Sequence, residues 1–282
     1  MVVYSRLQRR SGLSLVEFLT AATIMSLIAV AIGSVTLAVR QLSSHAGGVS
    51  ETLQHARVVQ EYFRRTVSAA HASRDFPGVL VWTESDGTAT FPDTLVVWSP
   101  VSTPAAPEGL PLFSELVVFC SHPIRPNELV MMTDRADRRS VPPLSDLSAW
   151  QSELDAFKQN NADTAIVLTS LLRVADVNPG GVGTRRLRPA LRFFAEQRPD
   201  NNQFAHFEAG QIEWNQLDWP LGLYNSQTGV VRTRCNLEFQ LTVPDSEPEE
   251  TLVFFDAAAV SFIVENRSSG TAMSTVPTTT PP

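Results

Sequence analysis

Charge is what this sequence has least of where it begins. From Leu13 to Val39 there is one ionisable residue, Glu17. Lysine is nearly absent throughout: of 22 basic residues only Lys158 is lysine, which reflects composition rather than function. Acids outnumber bases 29 to 22, giving a formal net charge of −7. That balance argues against a nucleic-acid partner, whose phosphates favour basic faces. Two cysteines, Cys120 and Cys235, are too few and too far apart for a zinc site. The five histidines (His45, His55, His71, His122 and His206) are scattered without metal-ligand spacing. There is no Gly-x-Ser-x-Gly elbow. The stretch Asn178-Pro-Gly-Gly-Val-Gly-Thr lacks the Lys-Ser/Thr ending of a phosphate loop and reads as a turn. With no nucleophile, acid–base pair or cofactor fingerprint, the expectation is a chain that is not an enzyme and needs no cofactor.

What the sequence does have is an apolar run long enough to cross a bilayer. A span needs about 20 apolar residues as a helix. The 27 positions from 13 to 39 would extend roughly 40 Å at about 1.5 Å each. Before them stands a short leader, residues 1–12, whose charges are Arg6, Arg9 and Arg10. Basic residues there keep the N-terminus cytoplasmic and send the remainder across. A cleaved secretory signal is the competing reading, with Ala29-Val30-Ala31 as its cleavage site. Such a signal has an apolar region of only about 7–15 residues, whereas here apolar residues continue through Ile32, Val35, Leu37 and Val39.

Gly12-Leu13-Ser14-Leu15-Val16-Glu17 resembles the processing motif of the type IV pilin and type II secretion pseudopilin family. The resemblance covers about Arg9 to Arg40. It implies a membrane peptidase that cuts between Gly12 and Leu13 and methylates the new Leu13 amine. It also implies that Glu17, at the fifth mature position, meets that amine on a neighbouring subunit during assembly. Physical chemistry agrees, because a carboxylate among apolar helices is costly unless paired. The chain departs from the family pattern at Leu13, usually Phe, and lacks the proline of many major pilins. A tip subunit typically lacks the Glu, so its presence argues against the tip. Removing the leader's three arginines takes the charge from −7 to about −10.

Further along, Gly47-Gly48 reads as a flexible point in the helix, since glycine costs about 1 kcal/mol per helical position. Residues 41–75 then form an amphipathic continuation with Val49, Leu53, Ala56, Phe63, Val67 and Ala70 as its apolar stripe. Asp75-Phe76-Pro77-Gly78 ends it. Strands are expected at 79–83, 94–98, 116–120, 128–132, 191–195, 204–208, 211–214, 230–243, 251–256 and 259–264. One helix, 145–160, is capped by Ser145; 164–174 suits either a buried helix or a strand. Residues 76–267 thus make one β-rich exported domain, and 268–282, rich in Ser, Thr, Gly and Pro, a disordered tail.

The fold class is therefore α+β: a long N-terminal helix on a mainly antiparallel sheet, which is also what the pilin resemblance implies. By size and pattern the chain looks most like a larger minor pseudopilin, the J class. The function this implies is a structural subunit of a type II secretion pseudopilus or type IV pilus. Its partners would be other pilin-like subunits, prepilin peptidase and the bacterial inner membrane, with the C-terminal domain periplasmic. The alternative is a single-pass membrane-anchored exported domain for binding or adhesion, for which Trp82, Trp98, Trp150, Trp214 and Trp219 could line a face, although core packing is their commoner use. An oxidising compartment permits a Cys120–Cys235 disulfide, with two buried thiols the other reading. Asp245, Glu247, Glu249 and Glu250 supply oxygen ligands of the kind calcium takes, though such stretches are usually solvated loops.

Overall fold

The computed structural model describes residues 14–73, 75–86, 89–177, 186–244 and 252–267. A single helix, α1 (Leu15–Ser68), leads into antiparallel sheets, so the class is α+β as expected. At about 1.5 Å per residue its 54 residues reach roughly 80 Å. Its first part is wholly exposed; the first buried position is Gly48. From there Gly48, Thr52, Ala56, Val59, Phe63 and Val67 are buried. Steps of three and four put them on one face. The stripe differs from the expected one at its start: Leu53 is 40 % exposed, and Thr52 takes the buried place by donating its hydroxyl to Gly48 O (2.9 Å).

Two strand pairs follow α1. β1 (Val79–Asp86), β2 (Ala89–Trp98), β3 (Leu116–Ser121), β4 (Leu129–Met132) and β5 (Ile166–Thr169) form a five-stranded sheet in chain order. Both faces of its centre are covered. Leu95, Val97, Val117 and Phe119 look toward α1, while Val96, Trp98, Val118 and Cys120 look toward α2 (Leu147–Asn160). Double burial is why these strands read as unbroken apolar runs. α2 presents Trp150, Leu154 and Phe157 to that second core, and its N-cap is Asp146, not Ser145, accepting from Ala149 N.

β6 (Val174–Val177) and β7 (Arg186–Pro189) make a separate ribbon. β8 (Leu191–Arg198), β9 (Thr228–Thr242) and β10 (Leu252–Asn266) form a three-stranded sheet in the order β10-β9-β8. β9 alternates as the sequence predicts, burying Val231, Thr233, Cys235, Leu237, Phe239 and Leu241. Only its inner face meets α1 and the core, so only alternate residues need be apolar. The two final strands expected from the sequence are one, because every residue from Leu252 to Asn266 pairs in register with β9.

The expected strands at 204–208 and 211–214 are corrected. Residues Asn201–Glu208 are a helix, α3, because Asp200 accepts from Gln203 N (2.8 Å) while the Gln203 side chain reaches back to Asp200 N. This reciprocal cap opens a helix despite the aromatic content that suggested a strand. Trp214–Gln216 is a short 3-10 turn. Around both, Trp214, Leu217, Trp219 and Val231 form a third small core with Phe204 and Phe207.

The α1 register yields a contrast. Phe63→Ala, at 0 % exposure, should lose about 3–5 kcal/mol of unfolding free energy. Leu53→Ala, one face away, should change it by less than about 1 kcal/mol. Denaturant titration of the detergent-solubilised full chain measures both.

Candidate functional site

The residues that carry the functional reading gather at the start of α1. Ser14 is the N-cap: its Oγ accepts from Glu17 N (3.2 Å). Glu17 Oε2 in turn accepts from Ser14 N (2.9 Å) and from Ser14 Oγ (3.1 Å). This capping box satisfies amide donors that a helix start leaves orphaned. It engages one carboxylate oxygen, Oε2; Oε1 has no hydrogen-bond partner among the described residues, and the side chain is exposed. The cleavage pair expected at Gly12 and Leu13 lies outside the described residues.

From Leu15 to Leu42 the apolar side chains are exposed, Val30 at 71 % and Leu42 at 70 % among them. By length and composition this helix is apolar enough to cross a membrane, as an anchor or a signal sequence. It enters the domain without a break. The flexible point expected at Gly47-Gly48 is absent, since both lie within α1. Gly48 instead marks a close approach: a Cβ there would sit 2.8 Å from Pro244 O and 2.9 Å from Val243 Cγ1. Thr52 Oγ1 reaches Thr242 O at 3.4 Å one turn later. Gln60 Nε2 donates to Asp256 O (2.8 Å), and Ala70 O accepts from Ser261 Oγ (3.4 Å). α1 therefore runs along β10 in the same direction, with the exposed half leaving at the Thr242–Leu252 end of the sheet.

The remaining sequence candidates do not meet. Cys120 and Cys235 are free thiols, buried in the α2-side and α1-side cores respectively, so the disulfide is corrected to two separate thiols. Burial pushes each up to about 12, which leaves neither as a thiolate nucleophile. Of the tryptophans, Trp98 and Trp150 fill the α2-side core, Trp214 and Trp219 the third core, and Trp82 packs partly buried against the α2-side core. His122 is buried and its Nδ1 accepts from Ile124 N (3.1 Å) and Arg125 N (3.2 Å), a loop brace. Asp245, Glu247, Glu249 and Glu250 lie outside the described residues.

One constellation was invisible in the sequence. Glu84 on β1 accepts from Lys158 Nζ (3.1 Å) at the end of α2 and from Arg188 NH1 (2.7 Å) on β7. Arg188 also lies 3.5 Å from Asp93 Oδ2 on β2 and stacks 4.7 Å over the Phe91 ring. Lys158 and Asp93 are 8 % and 5 % exposed. The cluster lines an open cavity of about 220 Å³ with Asp155, His122 and Gln159. Its charges neutralise one another, and it ties α2 and β7 to the paired strands β1 and β2. Burial, then the nearby Glu84 charge, pushes Asp93 up to about 6. Burial also acts to raise Glu84, but Arg188 and Lys158 outweigh it and hold that carboxyl below its usual value. Partners 74 and 104 positions apart carry no spacing signal.

No family model matches the chain, and no curated protein or solved structure matches it.

Asp93 sets a pH signature. Its folded pKa lies above the unfolded one, so its contribution favours the fold at low pH and is lost as pH rises through about 6. The unfolding midpoint of Asp93→Asn minus that of the parent should therefore grow more positive between pH 4 and pH 7, the range bracketing both values (about 4 unfolded). A flat difference across that range would remove the assignment.

Proposed function

We propose that this chain is a minor pilin-like subunit, a pseudopilin of a type II secretion system or a pilin of a type IV pilus. The observation that carries the reading is the Gly12-Leu13-Ser14-Leu15-Val16-Glu17 pattern, which runs into the first turn of a helix whose apolar half is exposed. A helix with that much unburied apolar surface needs a bilayer or other helices around it. In this reading both are used in turn. The leader is removed in the inner membrane, the Leu13 amine is methylated, and the helix passes from lipid into a bundle of like helices. The exported domain stays outside the bundle.

Glu17 supplies the register. One of its oxygens caps its own helix and the other has no partner among the described residues, so it can accept a neighbour's N-terminal amine without uncapping. Within a bundle's low dielectric that pair is worth far more than at a surface. No enzymatic step is assigned to the chain itself; the peptidase performs the covalent chemistry.

Two measurements test this. Intact mass from native membranes should show a chain beginning at Leu13 and carrying one methyl group; a start at Met1 would leave a plain membrane-anchored binding domain, and a start after Ala31 a secreted one. Separately, Glu17→Gln should keep the capping geometry, since Gln also serves at that position, yet lose the charge. Both Glu17→Gln and Glu17→Ala should cut incorporation into the sheared filament fraction strongly while the exported domain's unfolding is unchanged. Normal incorporation of Glu17→Gln would reduce Glu17 to a helix cap.

A further inference from the structure

The connection from β2 to β3, residues 99–112, carries four prolines, Pro100, Pro104, Pro107 and Pro111. Each fixes its own φ, which stiffens the loop. Glu115, 8 % exposed, ties it down along its length. Its Oε2 accepts from Trp98 Nε1 before the loop and from Leu112 N at its end, both at 3.1 Å, and its Oε1 accepts from Ala105 N in the middle at 2.6 Å. Ser73 Oγ, just beyond α1, donates to Gly109 O (2.6 Å). The loop is therefore held in shape by the chain itself, so a ligand bound there would have little ordering cost to meet.

Residues 133–141 run beside this loop. Ser114 N donates to Asp137 O (2.8 Å) and Phe113 N to Arg139 O (3.0 Å). Together the two segments enclose an open cavity of about 340 Å³ lined by Pro100, Ser102, Thr103, Ser114, Arg135 and Arg138, with Glu115 behind them. It sits where β2 ends. His71 N, past the C-terminus of α1, donates to Trp98 O there (2.8 Å). The cavity is thus at the end of the domain away from the exposed half of α1.

Its charges do not balance. Arg135 gives NH1 to Ser114 O (2.9 Å) and Ser99 O (3.5 Å), so carbonyls position it and no carboxylate neutralises it among the described residues. Arg138 is exposed and has neither hydrogen bond nor ion pair among the described residues. The neighbouring acids are engaged elsewhere. Asp137 pairs with Arg139 (2.7 Å), and Asp134 Oδ1 accepts from Ala136 N and Asp137 N. Glu115 is the one acid of the lining, and N–H donors take both its oxygens. Two guanidiniums against one carboxylate leave an excess of positive charge. Ser114 adds a second sign. It is 4 % exposed, and its Oγ is shut from solvent with no hydrogen-bond partner among the described residues. A buried hydroxyl left unpaired is costly unless something completes it.

We infer that this cavity binds an oxyanion, a carboxylate or a phosphate, with Arg135 and Arg138 as its cationic donors and the hydroxyls of Ser102 and Thr103 beside them. A guanidinium fork matches the paired oxygens of either group. The Glu84 cavity differs in this respect, because its acids and bases already satisfy one another. The oxyanion site is independent of the filament reading, since neither the exposed helix nor assembly enters it.

The test uses the detergent-solubilised full-length chain, titrated with sodium phosphate and, separately, with sodium acetate, each against sodium chloride of equal ionic strength. At least one probe should raise the unfolding midpoint saturably, by about 2–5 °C once it exceeds its Kd about tenfold. A response to phosphate alone identifies a phosphate ligand; a response to acetate alone identifies a carboxylate. Arg138→Gln removes no contact within the chain, so its probe-free midpoint should stay within about 1 °C of the parent. Its affinity for the probe should fall by about tenfold or more, and Arg138→Lys, which keeps the charge, should lose less. No saturable rise with either probe overturns the inference. So does an equal rise in the parent and in Arg138→Gln, which general exclusion of salt from the protein surface would produce.

Discussion

Everything beyond Gly48 leans on one seam: Ala56, Val59, Phe63 and Val67 of α1, each at 2 % exposure or less, pressed against both larger sheets. These four side chains share one core with residues of β2, β3, β4 and β5 on one side and of β8, β9 and β10 on the other. Without them the five-stranded sheet would keep its α2-side core but show water its other face. The three-stranded sheet would keep its packing on β1 and β2 but lose the apolar cover along β9 and β10. The same helix, some ten residues earlier, is bare. One element is therefore both the keystone of the β-rich domain and the segment with the most exposed apolar surface. The two roles meet at Gly48, where the backbone of Pro244 comes too close for any side chain.

How much of this was legible follows from what each segment buries. β9 was readable because one face is buried and the other wet, so its sequence alternates. β2 and β3 were readable as strands but not as central ones, since double burial erases alternation. The helix at Asn201–Glu208 was misread because Phe204 and Phe207 pointed to a strand, while the decisive feature was the pairing of Asp200 with Gln203. The glycine pair in α1 was misread as a hinge because helix propensity weighs only the local cost. Tertiary contact with Val243 and Pro244, about 195 positions later in the chain, decided the matter. The Glu84–Lys158–Arg188–Asp93 cluster could not have been read at all, since its members are brought together only by the fold.

Of the functional candidates, Glu17 gained a specific geometry, while the two cysteines lost their connection. The central sheet separates the two thiols, one on each side, and no bond between them is available. Among the described residues the domain is held by packing and by the Glu84–Lys158–Arg188–Asp93 cluster, with no disulfide between Cys120 and Cys235.

The unbroken passage of α1 through Gly48 makes the domain a crank fixed to a shaft. Each helical residue advances the rotation by about 100°. Inserting one residue anywhere between Ser14 and Gly47 would leave every contact of the domain intact. It would nonetheless turn the whole domain by more than a quarter of a circle relative to the face that Glu17 occupies. The length of the bare segment, counted in single residues, is thus as much a part of the molecule's design as any side chain in it.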